Sequence, residues 1–453
     1  MPIGDSGRRS LADHPARFVV SAFLAAIAAG TVLLLLPVST AEGESTDFVS
    51  ALFTATSAVC VTGLSVFDVG THLSGFGQGV LLVLAQVGSL GFMTLASLIA
   101  MLVSHRLGLR LTLATTTERG TLNLGDVRRV LGGVAVVTVG MELVVAAVLA
   151  VRLRTGHGYA WDDAAWHGLF HSVMAFSNAG FSLYPDSLNR FAFDPIVTGA
   201  VMISIVVGGL GFPVLVDLFQ RRGHPHPWRR LTLHTRLTLV ATGVLLAAGF
   251  VIVLVFEWGN PATLGPHSLV EKGWLSAFGS VTPRTGGFHT IWPGRMTDEG
   301  LLGTMALMFV GAGSAGTSGG IKVGTFAVLG LVILAELRGS RDVVVFGRRL
   351  PERVQRQALT VALLAIAVVA ATTTVLLWVT DLPLRDAGFE ATSAFGTAGL
   401  STGVTGDLPA SGRLTLAFVM LVGRLGPLTL GTALVLRFRT SRIRHPEEAP
   451  LIG

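Results

Sequence analysis

The chain holds 453 residues, 51% of them apolar and only 13% charged, with a mean hydropathy of +0.67. That composition excludes an ordinary soluble globular domain and leaves an integral membrane protein. The formal charge of +6 is Arg-rich and sits in short links between apolar runs, so it reads as membrane topology rather than a nucleic-acid surface. Cys60 is alone, which excludes an internal disulfide and a multi-cysteine metal site.

About 20 mostly apolar residues suffice to cross a bilayer, whereas about 10–14 do not. The chain opens with a span near 16–38, a short amphiphilic helix near 48–59, a turn around Gly63 and a span near 77–103. The opening run, Phe18 to Val38, follows Arg8, Arg9 and Arg17 and precedes Ser39-Thr40-Ala41, as a signal peptide would. Its 21 residues exceed the usual apolar region of about 7–15, so it is read as the first span. The second quarter gives a span near 130–151, a short helix near 162–175, a turn at Gly180 and a span near 194–219. The third gives 235–257, 268–280, a turn at Gly287 and a long apolar stretch over 299–336; the fourth gives 355–379, 386–395, a turn at Gly399 and 413–437. The short helices read as re-entrant segments.

The four turns are Val61-Thr62-Gly63-Leu64, Asn178-Ala179-Gly180-Phe181, Thr285-Gly286-Gly287-Phe288 and Thr397-Ala398-Gly399-Leu400, with glycines 117, 107 and 112 residues apart. A Val-Gly pair follows each, ending at Gly88, Gly208, Gly311 and Gly423, which is 25, 28, 24 and 24 residues on. Two motifs in step over four copies define an internal repeat. The predicted fold is all-α and membrane-integral: four pseudo-fourfold repeats of span, pore half-helix, turn and span, giving eight spans. Repeats occupy 16–104, 105–221, 222–338 (with a broken helix) and 339–440, between termini at 1–15 and 441–453 that are placed in the cytosol.

Charge supports that topology. With the amino terminus inside, the inner segments carry Arg8, Arg9 and Arg17, then Arg106, Arg110, Arg119, Arg128 and Arg129, then Arg221, Arg222, Arg229, Arg230 and Arg236. Arg338, Arg341, Arg348, Arg349, Arg353, Arg356, Arg437, Arg439, Arg442 and Arg444 complete the set, while Glu42, Glu44, Asp47, Asp68, Asp162, Asp163, Asp186, Asp194 and Asp407 fall outside. Eight spans satisfy the positive-inside rule at every link, and all four turns then open outward.

Non-helical backbone at membrane depth is tolerated where protein buries it or it lines a wet cavity. Four such turns meeting on one axis would offer main-chain carbonyls to a dehydrated cation, and glycine supplies the positive φ that aims them. No carboxylate lies in the turns, which disfavours a side-chain ring for divalent ions.

Thr54-Ala55-Thr56-Ser57-Ala58 running into Val61-Thr62-Gly63-Leu64, and Ser280 to Phe288, resemble the first and third pore segments of the Trk/Ktr/HKT superfamily of potassium transporters, over about residues 16–440. With no extra pair of spans before the first repeat, the chain is most similar to the Ktr-type membrane subunit. The resemblance implies a potassium filter built from Val61, Thr62, Gly63, Asn178, Ala179, Gly180, Thr285, Gly286, Gly287, Thr397, Ala398 and Gly399. It also implies a homodimer in the cell membrane and a cytosolic nucleotide-binding (RCK-type) ring as regulator. Sodium is a candidate activating or coupled ion, but the residues leave open a gated channel against coupling of potassium to sodium or protons. Gly63, where some sodium-favouring plant relatives carry Ser, points to potassium.

The third trailing motif swells to Gly311-Ala312-Gly313-Ser314-Ala315-Gly316-Thr317-Ser318-Gly319-Gly320. Its five glycines forfeit roughly 4–5 kcal/mol of helix propensity relative to Ala, so the span is expected to break there. The resemblance makes Gly311, Gly313, Ser314, Gly316, Thr317, Gly319 and Gly320 a gate beneath the filter; from the residues alone, a glycine-rich packing seam is the alternative. Arg424 costs about 2.5–3.5 kcal/mol within a span, so it is expected to face the pore or to pair with loop groups such as Ser314 or Thr317.

Other candidates are plainer. His167 and His171 stand one turn apart without a third ligand and read as packing. His224-Pro225-His226 reads as a solvated link, and Glu142, well inside a span, is expected to be buried against a partner. Arg284 is expected to brace the third turn, Asp68 and Asp186 to concentrate cations at the mouth, and Lys322 to anchor the glycine loop. Two rivals remain. A carrier of another solute built from inverted repeats would orient successive repeats oppositely, against the arginine pattern. An intramembrane enzyme would need a nucleophile with its base, or a metal cluster, and neither motif occurs; nor does a phosphate-loop Lys-Ser/Thr pair follow Gly320.

Overall fold

Side chains that satisfy the first free N–H groups set where the helices begin. Asp47 accepts from Ser50 N, Asp68 from Thr71 N, Asp194 from Ile196 N and Val197 N, Thr232 from Thr235 N and Thr297 from Gly300 N, while Ser268 and Glu271 form a reciprocal capping box. The structure is a computed structural model describing residues 15–112, 124–222 and 227–436, with side chains described over 19–94, 96–97, 132–222 and 228–426. Arg8, Arg9, Arg119, Arg437, Arg439, Arg442, Arg444, the link at His224–His226 and residues 441–453 lie outside the described residues. So do the side chains of Arg17, Arg106, Arg110, Arg128 and Arg129.

The first quarter holds α1 (Pro15–Leu35), α2 (Phe48–Val59), α3 (Val69–His72) and α4 (Gly75–Thr112); the second holds α5 (Leu124–His157), α6 (Trp161–Ser177), α7 (Pro195–Leu210) and α8 (Phe212–Gln220). The third holds α9 (Pro227–Arg230), α10 (Leu233–Glu257), α11 (Leu269–Val281), α12 (Asp298–Phe309) and α13 (Val323–Leu337). After a small antiparallel pair, Val344–Val345 with Arg348–Arg349, the fourth holds α14 (Glu352–Val379), α15 (Leu384–Gly396) and α16 (Ala410–Leu436). The short helices α2, α6, α11 and α15 stand where the re-entrant segments were expected. α4 runs past the boundary drawn at residue 104.

Among the described residues, four stretches can by length and composition cross a membrane singly: Gly75–Thr94, Gly132–His157, Leu233–Glu257 and Glu352–Val379. The span expected over 194–219 is instead a pair, α7 and α8, bent by 93°. Gly211 makes the bend at φ +91°, and Pro213 cannot donate the helical N–H that Gly209 O would otherwise accept. The expected break in the third quarter separates α12 from α13. Large apolar side chains such as Val136, Val244, Leu302 and Phe418 are exposed on the outer surface, as a lipid solvent requires.

The buried clusters join the quarters around a centre. Val59, Leu81, Phe170 and Val201 pack with Phe278 and Phe288, joining quarters one, two and three. Leu301 and Met308 pack with Phe389 and Leu400, joining three and four. Phe53 and Leu64 pack with Phe395 and Met420, closing four onto one.

Candidate ion pathway

Each half-helix ends by turning left-handed. The φ angles are 57° at Val61, 60° at Asn178, 75° at Thr285 and 50° at Thr397; two residues later they are 91°, 68°, 72° and 81° at Gly63, Gly180, Gly287 and Gly399. Thr62, Ala179, Gly286 and Ala398, between them, keep negative φ. Alternating the sign of φ lets successive carbonyls face one side of the chain, which a regular helix or strand does not allow. The left-handed Val, Asn and Thr positions cost about 1–3 kcal/mol each, strain typical of ligand clamps.

Helix-end closures hold the turns. Thr62 N donates to Ser57 O at 2.7 Å, Ala179 N to Met174 O at 2.8 Å and Ala398 N to Ser393 O at 2.9 Å, each reaching back five residues. The third quarter closes over four residues instead, through Gly286 N and Thr282 O at 2.8 Å. Glycine is obligatory because the turns touch. A Cβ built on Gly63 would lie 2.3 Å from Ala179 O, on Gly180 2.5 Å from Gly287 Cα, on Gly287 3.2 Å from Ala398 O, and on Gly399 2.2 Å from Thr62 O. The contacts run one to two, two to three, three to four and four to one, a closed ring in chain order.

The trailing glycines lie where their helices cross under a half-helix. A Cβ would stand 2.0 Å from Val59 O at Gly88, 2.1 Å from Phe176 O at Gly208 and 1.9 Å from Phe395 O at Gly423; each carbonyl belongs to the residue four before the turn glycine. That shared contact explains the near-constant spacing in sequence. In the third quarter, Gly311 instead abuts Gly319 O of its own loop, at 2.1 Å.

Residues 311–320 are almost entirely buried and lie between quarters two and four. Gly313 N donates to Gly209 O at 2.8 Å and Thr317 N to Gly208 O at 3.2 Å, using carbonyls that the bend at Gly211 and the missing N–H of Pro213 release. Phe212 N donates to Ala315 O at 3.4 Å and Gly320 N to Gly423 O at 3.3 Å. Ser314 O lies 2.5 Å from a Cβ on Gly211, and a Cβ on Gly319 would meet the Thr397 side chain, which puts the loop directly against the turns. In the orientation that gives both ends of its amide a partner, Asn178 accepts from Thr285 Oγ1 at 3.2 Å and Thr317 Oγ1 at 3.1 Å.

Arg424 is fully buried. Its guanidinium donates to Thr317 O of the loop, with Nη2 3.4 Å from Gly88 O, and lies 4.4 Å above the Phe92 ring. It joins quarters four, three and one. Lys322 reaches back to Ser318 O and also lies over Phe92, at 5.1 Å. The Arg284 side chain donates to Thr242 O at 3.1 Å and approaches Gly311 O at 3.5 Å, so it reaches α10 and the loop entrance rather than the third turn.

Several candidates also have local partners. Asp68 caps α3 and keeps its carboxylate charge, and Asp186 is paired with Arg190 at 2.7 Å. His171 Nδ1 donates to His167 O at 2.8 Å, and among the described residues no group of three possible ligands surrounds a metal position. Glu142 accepts from Gln86 Nε2 at 3.0 Å across the first two quarters. Three further buried acids went unremarked in the sequence: Asp217, which receives Arg221 and Thr232 N, Glu257, which receives Asn260, Thr263 and Thr297, and Glu390, on the half-helix α15.

A family model described as TrkH, cation transport protein, matches residues 9–441. The chain is similar to Ktr system potassium uptake protein B of Bacillus subtilis, 37% identical with 97% of both chains covered. It is also similar to the protein of that name from Vibrio alginolyticus, 36% identical over 96% of this chain and 94% of the other. The potassium/sodium uptake protein NtpJ of Enterococcus hirae is 32% identical over 97% of both. The crystal structure of the potassium transporter TrkH from Vibrio parahaemolyticus shares the fold with a TM-score of 0.72 at 18% identity, covering 97% of this chain and 87% of that one.

Proposed function

The chain belongs to the TrkH family of cation transport proteins, and on that premise we propose that it carries potassium across the cell membrane through main-chain carbonyls of its four turns. The closed ring of turns around Gly63, Gly180, Gly287 and Gly399 carries this reading. Backbone oxygens held by helix-end closures can replace the hydration shell of a monovalent cation without a carboxylate. In this reading the filter is Val61 to Gly63, Asn178 to Gly180, Thr285 to Gly287 and Thr397 to Gly399. The loop 311–320 is the gate, and Arg424 holds it beneath the filter while adding positive charge to the path of the cation. Each passage is driven by the membrane potential, worth about 2.3 kcal/mol per charge per 100 mV.

The repeats run over 16–104, 105–221, 222–338 and 339–440, with both termini in the cytosol. The inner arginines give a cytosolic nucleotide-binding ring its docking surface, and the working unit is a homodimer. Sodium acts as an activating or coupled ion. A sodium-permeable variant of the same pathway is the second reading, favoured by the relative whose name couples the two ions. Complementation of a potassium-uptake-deficient bacterial strain, with rubidium and sodium fluxes measured in the same cells, separates them. Growth on low potassium with rubidium flux well above sodium flux is expected; equal fluxes favour the second reading, and loss of both fluxes overturns the first.

A further inference from the structure

When the quarters are aligned on their turn glycines, two unlike residues occupy one position and make the same bonds. His171 stands nine residues before Gly180 and Glu390 nine before Gly399, and both are buried. Glu390 Oε1 accepts from Ser401 Oγ at 2.6 Å and Thr402 N at 3.1 Å, two and three residues after the glycine; Oε2 accepts from Thr405 Oγ1 at 2.7 Å. His171 Nε2 lies 3.2 Å from Ser182 Oγ and accepts from Leu183 N at 3.4 Å, again two and three residues after. Nδ1 donates to His167 O, and because Leu183 N donates to Nε2, that nitrogen is the acceptor and the ring is neutral. The serines repeat the pattern once more: Ser182 Oγ accepts from Tyr184 N at 3.0 Å and Ser401 Oγ from Gly403 N at 2.9 Å.

The other quarters lack the link. The equivalent of Glu390 in quarter one is Thr54, whose buried hydroxyl has no partner among the described residues, and in quarter three it is Phe278. Quarters two and four are diagonal in the ring, since the turns touch in chain order. We propose that His171 and Glu390 are positioning residues that tie the segment beyond the turn glycine to its half-helix on two opposite sides, setting the outer width of the filter and hence its preference for potassium over sodium. This rests on the filter reading above. A carbonyl ring discriminates between ions through the separation and freedom of its oxygens, and a segment tied at one end only would let those oxygens close on a smaller ion.

The test uses the full chain in liposomes, with rubidium uptake competed by potassium or sodium. Glu390→Ala and His171→Ala leave buried donors unsatisfied and are expected to lower the potassium-over-sodium preference about tenfold. Ser401→Ala and Ser182→Ala, which spare the half-helices, are expected to shift it the same way by about threefold. Glu390→Gln, which keeps an acceptor for Ser401 and Thr402, restores most of the preference, and Thr54→Val leaves it unchanged. If the alanine variants alter the maximal rate alone while Gly63→Ala changes the preference, the brace is merely structural and the proposal is overturned with the filter intact. If Gly63→Ala also leaves the preference unchanged, the filter reading itself falls.

Discussion

Adding a single methyl group to a trailing glycine tests the contact that ties each span to its half-helix. In Gly423→Ala the new Cβ would stand 1.9 Å from Phe395 O, 2.8 Å from its carbonyl carbon and 3.1 Å from its Cα. Helix propensity alone favours Ala over Gly by about 0.8–1.0 kcal/mol. Overpacking costs about 1–3 kcal/mol and sometimes more, and here the neighbour is main chain rather than a side chain that can swing away. Relief therefore moves the end of α15, four residues from Gly399. We expect net destabilisation of about 1–2 kcal/mol or more and a fall in rubidium uptake of about tenfold, with Gly88→Ala and Gly208→Ala alike. Gly91→Ala serves as the comparison: it lies in α4, exposed, with nothing within 4 Å of its added Cβ, so it is expected to be neutral or slightly stabilising. Detergent-solubilised protein melted by fluorescence-detected size exclusion gives the stabilities, and liposome uptake gives the rates. Gly423→Ala matching Gly91→Ala in both would refute the contact as the cause of the repeat spacing.

Arg424→Ala removes two charge-assisted hydrogen bonds and a ring contact that hold the loop to quarters one and four; uptake measured without a regulator is expected to rise about tenfold, and unaltered flux and affinity would remove Arg424 from the mechanism. Gly211→Ala places a Cβ 2.5 Å from Ser314 O at φ +91°, so the melting temperature should drop, by an amount equivalent to about 1–3 kcal/mol; an unchanged melt would show that the bend does not need glycine. Burial pushes the Asp194 carboxyl up, yet hydrogen bonds from His157, Arg152 and the N–H groups of Val197 and Ile196 outweigh it and hold the pKa below its ordinary value. A depressed pKa stabilises the fold above the unfolded value, about 3.9, and the gain is lost as pH falls through the folded one. Wild type is thus expected to melt higher than Asp194→Asn at neutral pH, with the difference vanishing as pH falls below about 4; a constant difference would count against the ion pair.

Much of the site was legible because the turns demand a residue type rather than a partner. Only glycine tolerates both the positive φ and the close approach at Gly63, Gly180, Gly287 and Gly399, so the ring wrote itself into the chain four times. The trailing glycines were legible for the same steric reason, and the break at 311–320 from helix propensity alone. The bend at Gly211 was missed because a Gly-Phe-Pro run inside an apolar stretch resembles an ordinary kink, and its released carbonyls find partners about a hundred residues away, at Gly313 and Thr317. That Asp68 would cap a one-turn helix and that Asp186 would pair with Arg190 was not legible, because both contacts depend on how the segment after each turn folds.

By itself, then, the sequence determined the repeat, the half-helix ends and the positions where only glycine fits, since those follow from local backbone sterics and from hydropathy. The tertiary structure alone decided which carbonyl each of Arg424, Gly313 and Thr317 would reach, and that His171 and Glu390 share one task. A hydrogen bond across quarters depends on where folded backbones cross, and hydropathy carries no record of that crossing.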